Sequence, residues 1–292
     1  MLVTSALISG IGLGSMYGLI ALGFYVTYAV SKTVNFAQGS SMMLGAVLTF
    51  ALAKSSGWPM PLAILTALIL CAGYGLVVER IAVRPFASRG SDAWLMATVA
   101  LGIVIDNIVM FTFGKEPRSL ASPLAQSSLE IGGVSLGVYP LQVVIPIVGL
   151  ILALLLHLLA QKTRWGSALL AVSQNPSAAR LMGIPIKRAT ALAYAVSTLL
   201  AGIAGILIAP LFNVHSDMGT LFGLKAFAVA ILGGITSPWG VMIAGLIFGL
   251  VESLVTTLLG SGYTQIITFL LVIVALALRP SGLFGRAEVY KV

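Results

Sequence analysis

Few side chains in this sequence have the chemistry for catalysis, and their spacing argues against it. His157 and His215 are the only histidines. They fall near opposite membrane faces, and neither has a partner at metal-ligand or catalytic-triad spacing. His157 reads as a side chain snorkelling from a span end, and His215 as a loop residue. Cys71 is the single cysteine and lies inside an apolar run, so it reads as packing and not as redox chemistry. No GxxxxGK(S/T) phosphate-binding loop is present, so any ATP chemistry belongs to another subunit. No catalytic or metal-binding set is assigned, and the chain is not expected to be an enzyme.

What remains is a short set of polar groups in apolar surroundings. Asp106, followed by Asn107, falls well inside a span, where a carboxylate is costly and faces either a cavity or a protein partner. Two readings stay open: a lining residue of a translocation path, or a structural Asp touching a neighbouring span. Asn35 and Gln38, preceded by Lys32, begin another span. They are candidates for the same path if that segment enters the membrane as a broken helix, and interfacial caps if it does not. Glu79 and Glu252 lie near span ends and read as structural. Lys225 is expected to snorkel outward or to meet a docking protein.

The elements that position these groups follow from composition. With 59% hydrophobic and 8% charged residues over 292 positions, the chain carries more apolar surface than one soluble core would use. Runs free of Asp, Glu, Lys and Arg cover 1–31, 33–53, 55–78, 131–161, 189–216, 226–251 and 253–278. Most exceed the roughly 20 residues that a helix needs to cross a bilayer. The first run lacks the basic start of a secretory signal and reads as a retained span. The expected fold is an all-α polytopic membrane protein in a single domain, 1–292, with about eight to nine transmembrane helices. Spans are placed near 5–30, 37–53, 59–79, 93–113, 140–160, 190–210, 223–236, 239–258 and 263–279.

Loops assigned alternately put Lys32, Arg80, Arg84, Arg89, Lys162, Arg164, Arg180, Lys187, Arg188, Arg279, Arg286 and Lys291 on one side. Lys54, Lys115, Arg118 and Lys225 remain on the other. The positive-inside rule makes the first side cytoplasmic, with the N-terminus outside and the C-terminus inside. The net charge of +8 is therefore explained by membrane topology, because the cations are scattered over short loops without a nucleic-acid-binding patch.

The chain also resembles itself. Residues 45–79 run from a Gly-Ala pair through Trp58-Pro59 to "YGLVVE", and 233–252 run from a Gly-Gly pair through Pro238-Trp239 to "FGLVE". The expected topology gives the two hairpins opposite orientation. That is the inverted repeat of transport folds, unless it is chance likeness between apolar helices. Gly10, Gly12, Gly14 and Gly18, Gly202 and Gly205, and Gly245 and Gly249 recur at helical spacing, as close helix contacts in lipid require.

One loop, about 162–188, interrupts the apolar pattern with a punctuated polar stretch, "QNPSAARLMGIPIKR". Asn175 suits an N-cap, Pro176 a first helical position, and Gly183 a left-handed residue past the helix end, while Pro185 prevents continuation. The result is one or two turns, Pro176 to Met182, presenting Ala178, Ala179, Leu181 and Met182. So short a helix is marginal alone and needs something to dock on.

At this point "TRWGSALLAVSQNPSAARLMGIPIKRATALAYAVSTLLAGIAG", together with "NFAQGSSMMLGA" at 35–46 and "AFAVAILGGITSPWGVMIAGLIFGLVES" at 226–253, resembles the LivH-type permeases of branched-chain amino-acid ABC transporters over nearly the whole chain. The resemblance implies a coupling helix docked on a cytoplasmic ATPase, with Asn175, Pro176, Ala178, Ala179, Arg180, Leu181 and Gly183 as coupling residues. It further implies a multi-pass protein of the bacterial inner membrane, paired with a second homologous permease as a heterodimer. Two ATPases, which hold the ATP and Mg, and a periplasmic binding protein would complete the importer. This chain itself would carry no cofactor, and no nucleic-acid partner is expected. Two departures stand out: Ser167 and Leu170 occupy positions where relatives often place an arginine, and Asp106-Asn107 replaces an uncharged polar pair. The alternatives are a permease for urea or short amides, and a polytopic carrier working without ATP.

Overall fold

The computed structural model describes residues 2–131, 134–135 and 137–285; Arg286 and Lys291 of the charge pattern lie outside them. The charge-free runs form helices. α1 (Leu2–Ser31) is followed by α2 (Gln38–Phe50), which continues into a π-helical turn, Ala51–Ser55. α3 (Met60–Val78) passes through a second π-helical turn, Glu79–Val83, into α4 (Arg84–Ala87). After α5 (Trp94–Phe113), two short strands, β1 (Glu130–Ile131) and β2 (Val134–Ser135), pair antiparallel. Then come α6 (Pro140–Lys162), α7 (Arg164–Gln174), α8 (Pro176–Leu181), α9 (Ile186–Ile208), α10 (Met218–Gly233), α11 (Pro238–Leu259) and α12 (Ser261–Leu278).

Seven helical stretches are long and apolar enough to cross a bilayer: α1, Met60–Ala87, α5, α6, α9, α11 and α12. The second and seventh expected spans correspond to α2 with its π-turn and to α10, which is 16 residues long. The seventh was expected at 223–236 and lies at Met218–Gly233, because Gly234 adopts φ +86° and ends the helix there. Helix starts follow local chemistry. The Ser237 hydroxyl accepts from the Gly240 N–H at 3.1 Å, capping α11 just ahead of Pro238.

The chain sorts into two compact units, each assembled from distant segments, a division the single-domain expectation did not contain. One consists of Met1–Tyr25, Ser122–Ala153 and Lys225–Val292. In its described part, α1 crosses α11 backbone to backbone. A Cβ on Gly14 would lie 2.6 Å from the Gly245 carbonyl oxygen, a distance no real side chain occupies. This is packing by small residues, where lipid supplies no hydrophobic drive between helices. Ser253 Oγ donates to the Ala6 carbonyl at 2.7 Å, and Tyr17 meets Phe248 edge-on at 5.5 Å. Beside them Lys225 Nζ lies 2.5 Å from Glu252 Oε1, the two side chains 6% and 11% exposed. Lys225 therefore neither snorkels outward nor waits for a docking protein: it is neutralised inside the fold. The structural reading of Glu252 holds.

The other unit consists of Val26–Ala121 and Leu154–Leu224. Here α2 is packed against α3, α5 and α9. Gly45 touches the Gly202 backbone, and Gly75 of α3 sits on Tyr194 and Thr198 of α9. The buried Cys71 donates weakly to the Ser41 carbonyl at 3.8 Å, in keeping with a packing role. Glu79 accepts two hydrogen bonds from Arg84, at 3.0 and 2.7 Å, across the π-turn. In both of the segments that resemble each other, then, a close-packed glycine (Gly75, Gly249) lies one turn before an ion-paired glutamate (Glu79, Glu252).

Lys225→Met leaves the Glu252 carboxylate buried without its cation, which costs about 3–5 kcal/mol. The single substitution should lower the thermal midpoint of the purified protein by several degrees, and Lys225→Met with Glu252→Met should recover most of it. Equal losses in the single and double variants would show that the pair is not what holds this packing.

Candidate functional site

The loop at 162–188 forms as its sequence dictates. Asn175 Oδ1 accepts from the Ala178 N–H at 3.0 Å, Pro176 occupies the first position of α8, and Gly183 takes φ +79°. A preceding helix, α7, went unanticipated. Its cap is Thr163, whose hydroxyl donates to the Leu159 carbonyl at 2.6 Å and accepts from Gly166 N–H at 3.0 Å. The Thr-Arg-Trp-Gly start carried that signal, since threonine is a favoured N-cap.

The two sides of α8 differ sharply. Ala179 is 3% exposed and packs with Val30, Val172, Ala189 and Ala193, flanked by Leu169 and Ile184. Leu181 and Met182, by contrast, are 89% and 82% exposed. Asn175, Pro176, Ala178, Arg180 and Gly183 are exposed as well. The expectation that Ala179 presents itself to a docking groove is thus corrected: it is the seat that holds α8 on its own chain. Alanine's size was the available signal, since only a small side chain lets so short a helix lie this close. At the positions where relatives often carry arginine, the exposed Ser167 hydroxyl donates to the Thr163 carbonyl at 3.0 Å and Leu170 is exposed. The loop is braced by apolar contact and not by charge.

Above this seat a hydrogen-bonded series joins the end of α1 to α9. The Ser31 and Thr33 hydroxyls are 2.6 Å apart, and Thr33 Oγ1 lies 2.8 Å from Tyr194 Oη. Next come Asn35 and Gln38, both fully buried. Asn35 Oδ1 accepts from the Ala37 N–H at 3.1 Å, and its Nδ2 donates to Gln38 Oε1 at 3.3 Å. Gln38 Nε2 donates to the Ser197 carbonyl at 3.0 Å, and Ser197 Oγ donates back to Gln38 Oε1 at 3.0 Å. Asn35 braces the turn into α2, and Gln38 fastens α2 to α9.

Asp106 and Asn107 are different. α5 runs parallel to α2: the Phe36 N–H donates to Thr98 Oγ1 at 3.4 Å, and Ser40 Oγ donates to the Gly102 carbonyl at 3.3 Å. Asp106 follows one turn later on the same face. It is half-buried, and its Oδ1 is buried without a hydrogen-bond partner among the described residues. Asn107 is exposed and donates to the Ile103 carbonyl at 2.7 Å. His215 lies in a loop, its Nδ1 2.9 Å from the Asn213 carbonyl oxygen.

A capped, half-seated helix between long apolar spans invites comparison with transport proteins. The family described as "Branched-chain amino acid transport system / permease component" matches residues 6–276. The chain belongs to that family. Among its relatives, the high-affinity branched-chain amino acid transport system permease protein LivH of Escherichia coli is 32% identical, over 97% of this chain and 96% of LivH. The corresponding BraD of Pseudomonas aeruginosa is 30% identical over 98% of this chain and 97% of BraD. The autoinducer 2 import system permease protein LsrC of an Enterobacter species is 30% identical over 75% of this chain and 60% of LsrC. The chain is thus a membrane permease component of ABC-transporter type, and Leu181–Met182 and Asp106–Asn107 are the features its function must explain.

Two substitutions separate the faces of α8. Ala179→Glu forces a carboxylate into the Val30–Val172 cluster and should cost about 3 kcal/mol or more, read as a lowered melting temperature. Leu181→Glu changes an exposed position and should shift stability by only about 0.5 kcal/mol. If Ala179→Glu melts like the parent, Ala179 is not the seat.

Proposed function

We propose that this chain is one permease subunit of an ATP-driven importer that passes branched-chain or related hydrophobic amino acids across the bacterial inner membrane. A periplasmic binding protein delivers the cargo, and a second homologous permease completes the pathway. Two cytoplasmic ATPases, which hold the ATP and Mg, drive it. The observation that carries this reading is α8: a capped helix held from below by Ala179, offering Leu181 and Met182 outward. Two large apolar side chains left this exposed on a positively charged loop suit a groove in a partner protein. Arg180, Lys187 and Arg188 around them suit the cytoplasmic side, and the reading has the N-terminus outside and the C-terminus inside. The family membership and the names of the relatives support the amino-acid cargo. Urea, short amides, and a carrier working without ATP remain the competing readings.

Expression of the chain with its neighbouring subunits, purification and reconstitution with the binding protein tests this. Leucine should be taken up and should stimulate ATP hydrolysis, whereas urea and acetamide should do neither. Leu181→Glu should weaken co-purification of the ATPase by about tenfold, the equivalent of about 1.4 kcal/mol. Uptake without ATP, or stimulation by urea alone, would overturn the assignment. For orientation, cysteines placed at the exposed Ser127 and Ser177 should label from opposite faces, with only the first reached by an impermeant reagent in intact spheroplasts. Labelling of both would reject the proposed topology.

A further inference from the structure

Apart from the loop, the polar groups of the α2–α3–α5–α9 unit are mostly spoken for. Gln38, Asn35, Thr33 and Tyr194 bond to one another and to the backbone. The ion pairs among the described residues are Glu79 with Arg84 and Glu252 with Lys225. Three buried oxygens among the described residues of this unit stand outside the pattern: Thr49 Oγ1 alone on α2, and two that lie near each other. Asp106 Oδ1 and Tyr74 Oη are both buried, and neither has a hydrogen-bond partner among the described residues.

The two belong to one locality. Tyr74, 8% exposed, packs in a cluster that Leu101 and Ile105 of α5 cover, and Asp106 follows Ile105 directly. From α2, Ser40 Oγ donates to the Gly102 carbonyl, one turn before Asp106 on the same face of α5, so its hydroxyl oxygen borders the same spot. Asn107, on the exposed side of the same turn, spends its amide N–H on the Ile103 carbonyl and keeps its side-chain carbonyl as an acceptor. The site therefore collects oxygen acceptors and negative charge at the middle of a span. Leaving such groups unpaired in a membrane is expensive, and carboxylates there face a partner or a cavity.

A ligand that satisfies this set carries positive charge and several N–H donors on one atom. A primary ammonium does so, with three donors in tetrahedral array. Resting on the reading that the cargo is an amino acid, we propose that Asp106, with Tyr74 and Ser40, forms a subsite that receives the α-ammonium group of the amino acid during passage. The apolar side chain of the cargo then travels among the Leu, Ile and Val residues of the same spans. The carboxylate gives the permease a preference for the charged end of its cargo that an apolar path alone would not have.

The test is leucine uptake into liposomes holding the complete transporter, with ATP hydrolysis and thermal midpoint measured on the same preparations. Asp106→Asn keeps shape but removes the charge, and should lower leucine imported per ATP hydrolysed by about tenfold, as loss of a charge-assisted bond implies. Asp106→Glu should restore a substantial part. Tyr74→Phe removes only a hydroxyl without a partner among the described residues, so it should leave the thermal midpoint unchanged or raised, yet lower leucine per ATP by about threefold.

Wild-type complexes that import no leucine would reject the amino-acid importer itself, independently of the subsite. If wild-type imports leucine and Asp106→Asn imports as much per ATP, the subsite is wrong. Losses in both variants that merely follow a fallen thermal midpoint would make Asp106 and Tyr74 structural. A sodium requirement in wild-type that vanishes in Asp106→Asn would assign the site to an alkali cation and overturn the ammonium proposal.

Discussion

Hydrocarbon offers no hydrogen bonds, so every polar group within a span must be answered by the protein itself. Much of this architecture answers that one demand. Gln38 can lie fully buried at the start of α2 because Ser197 supplies both a carbonyl and a hydroxyl to it. Lys225 can sit in the short helix α10 because Glu252 meets it from α11. Thr256, Thr257 and Thr268 turn their hydroxyls back onto carbonyls of their own helices, at 2.7, 2.8 and 2.7 Å, and so remain compatible with apolar surroundings. Against this background an unanswered oxygen is informative, which is why Asp106 and Tyr74 matter more than their number suggests.

The same absence of water explains the glycines. Apolar side chains gain little by leaving lipid for one another, so adhesion between helices rests on close approach. Gly14 with Gly245, and Gly45 with Gly202, bring backbones into direct contact in their respective units. The large side chains thereby displaced point outward: Ile69, Phe111, Ile147 and Ile273 are all more than half exposed, as a lipid-facing surface allows.

Much of this was legible in the sequence. Length without charge gave the spans, because a hydrophobic run cannot be hidden from a bilayer-sized window. The caps of α8 were readable because Asn-Pro and Gly-Ile-Pro act locally, through a side-chain acceptor and a left-handed residue. What failed depended on contacts between distant segments. Lys225 looked like a snorkelling cation because its partner lies 27 positions away on another helix. Ala179 looked available because the residues that bury it, Val30 and Val172, belong to other elements. The polarity of Asn35 and Gln38 was visible in the sequence, while Ser197, which answers Gln38 from α9, was not. The π-turn at Glu79–Val83 had no evident local signal, although the Glu79–Arg84 bridge it carries spans five positions and suits the wider turn.

The opposed faces of α8 bear on how such a transporter changes over evolutionary time. Position 179 answers only to the chain's own core, whereas 181 and 182 answer only to whatever lies outside it. Drift or selection at the outer pair leaves the seat undisturbed, and repacking beneath Ala179 leaves the outer pair free to keep its shape. A lineage could therefore reshape this exposed surface by altering Leu181, the last residue of a six-residue helix, and Met182 just past it, with no renegotiation of the membrane-embedded scaffold.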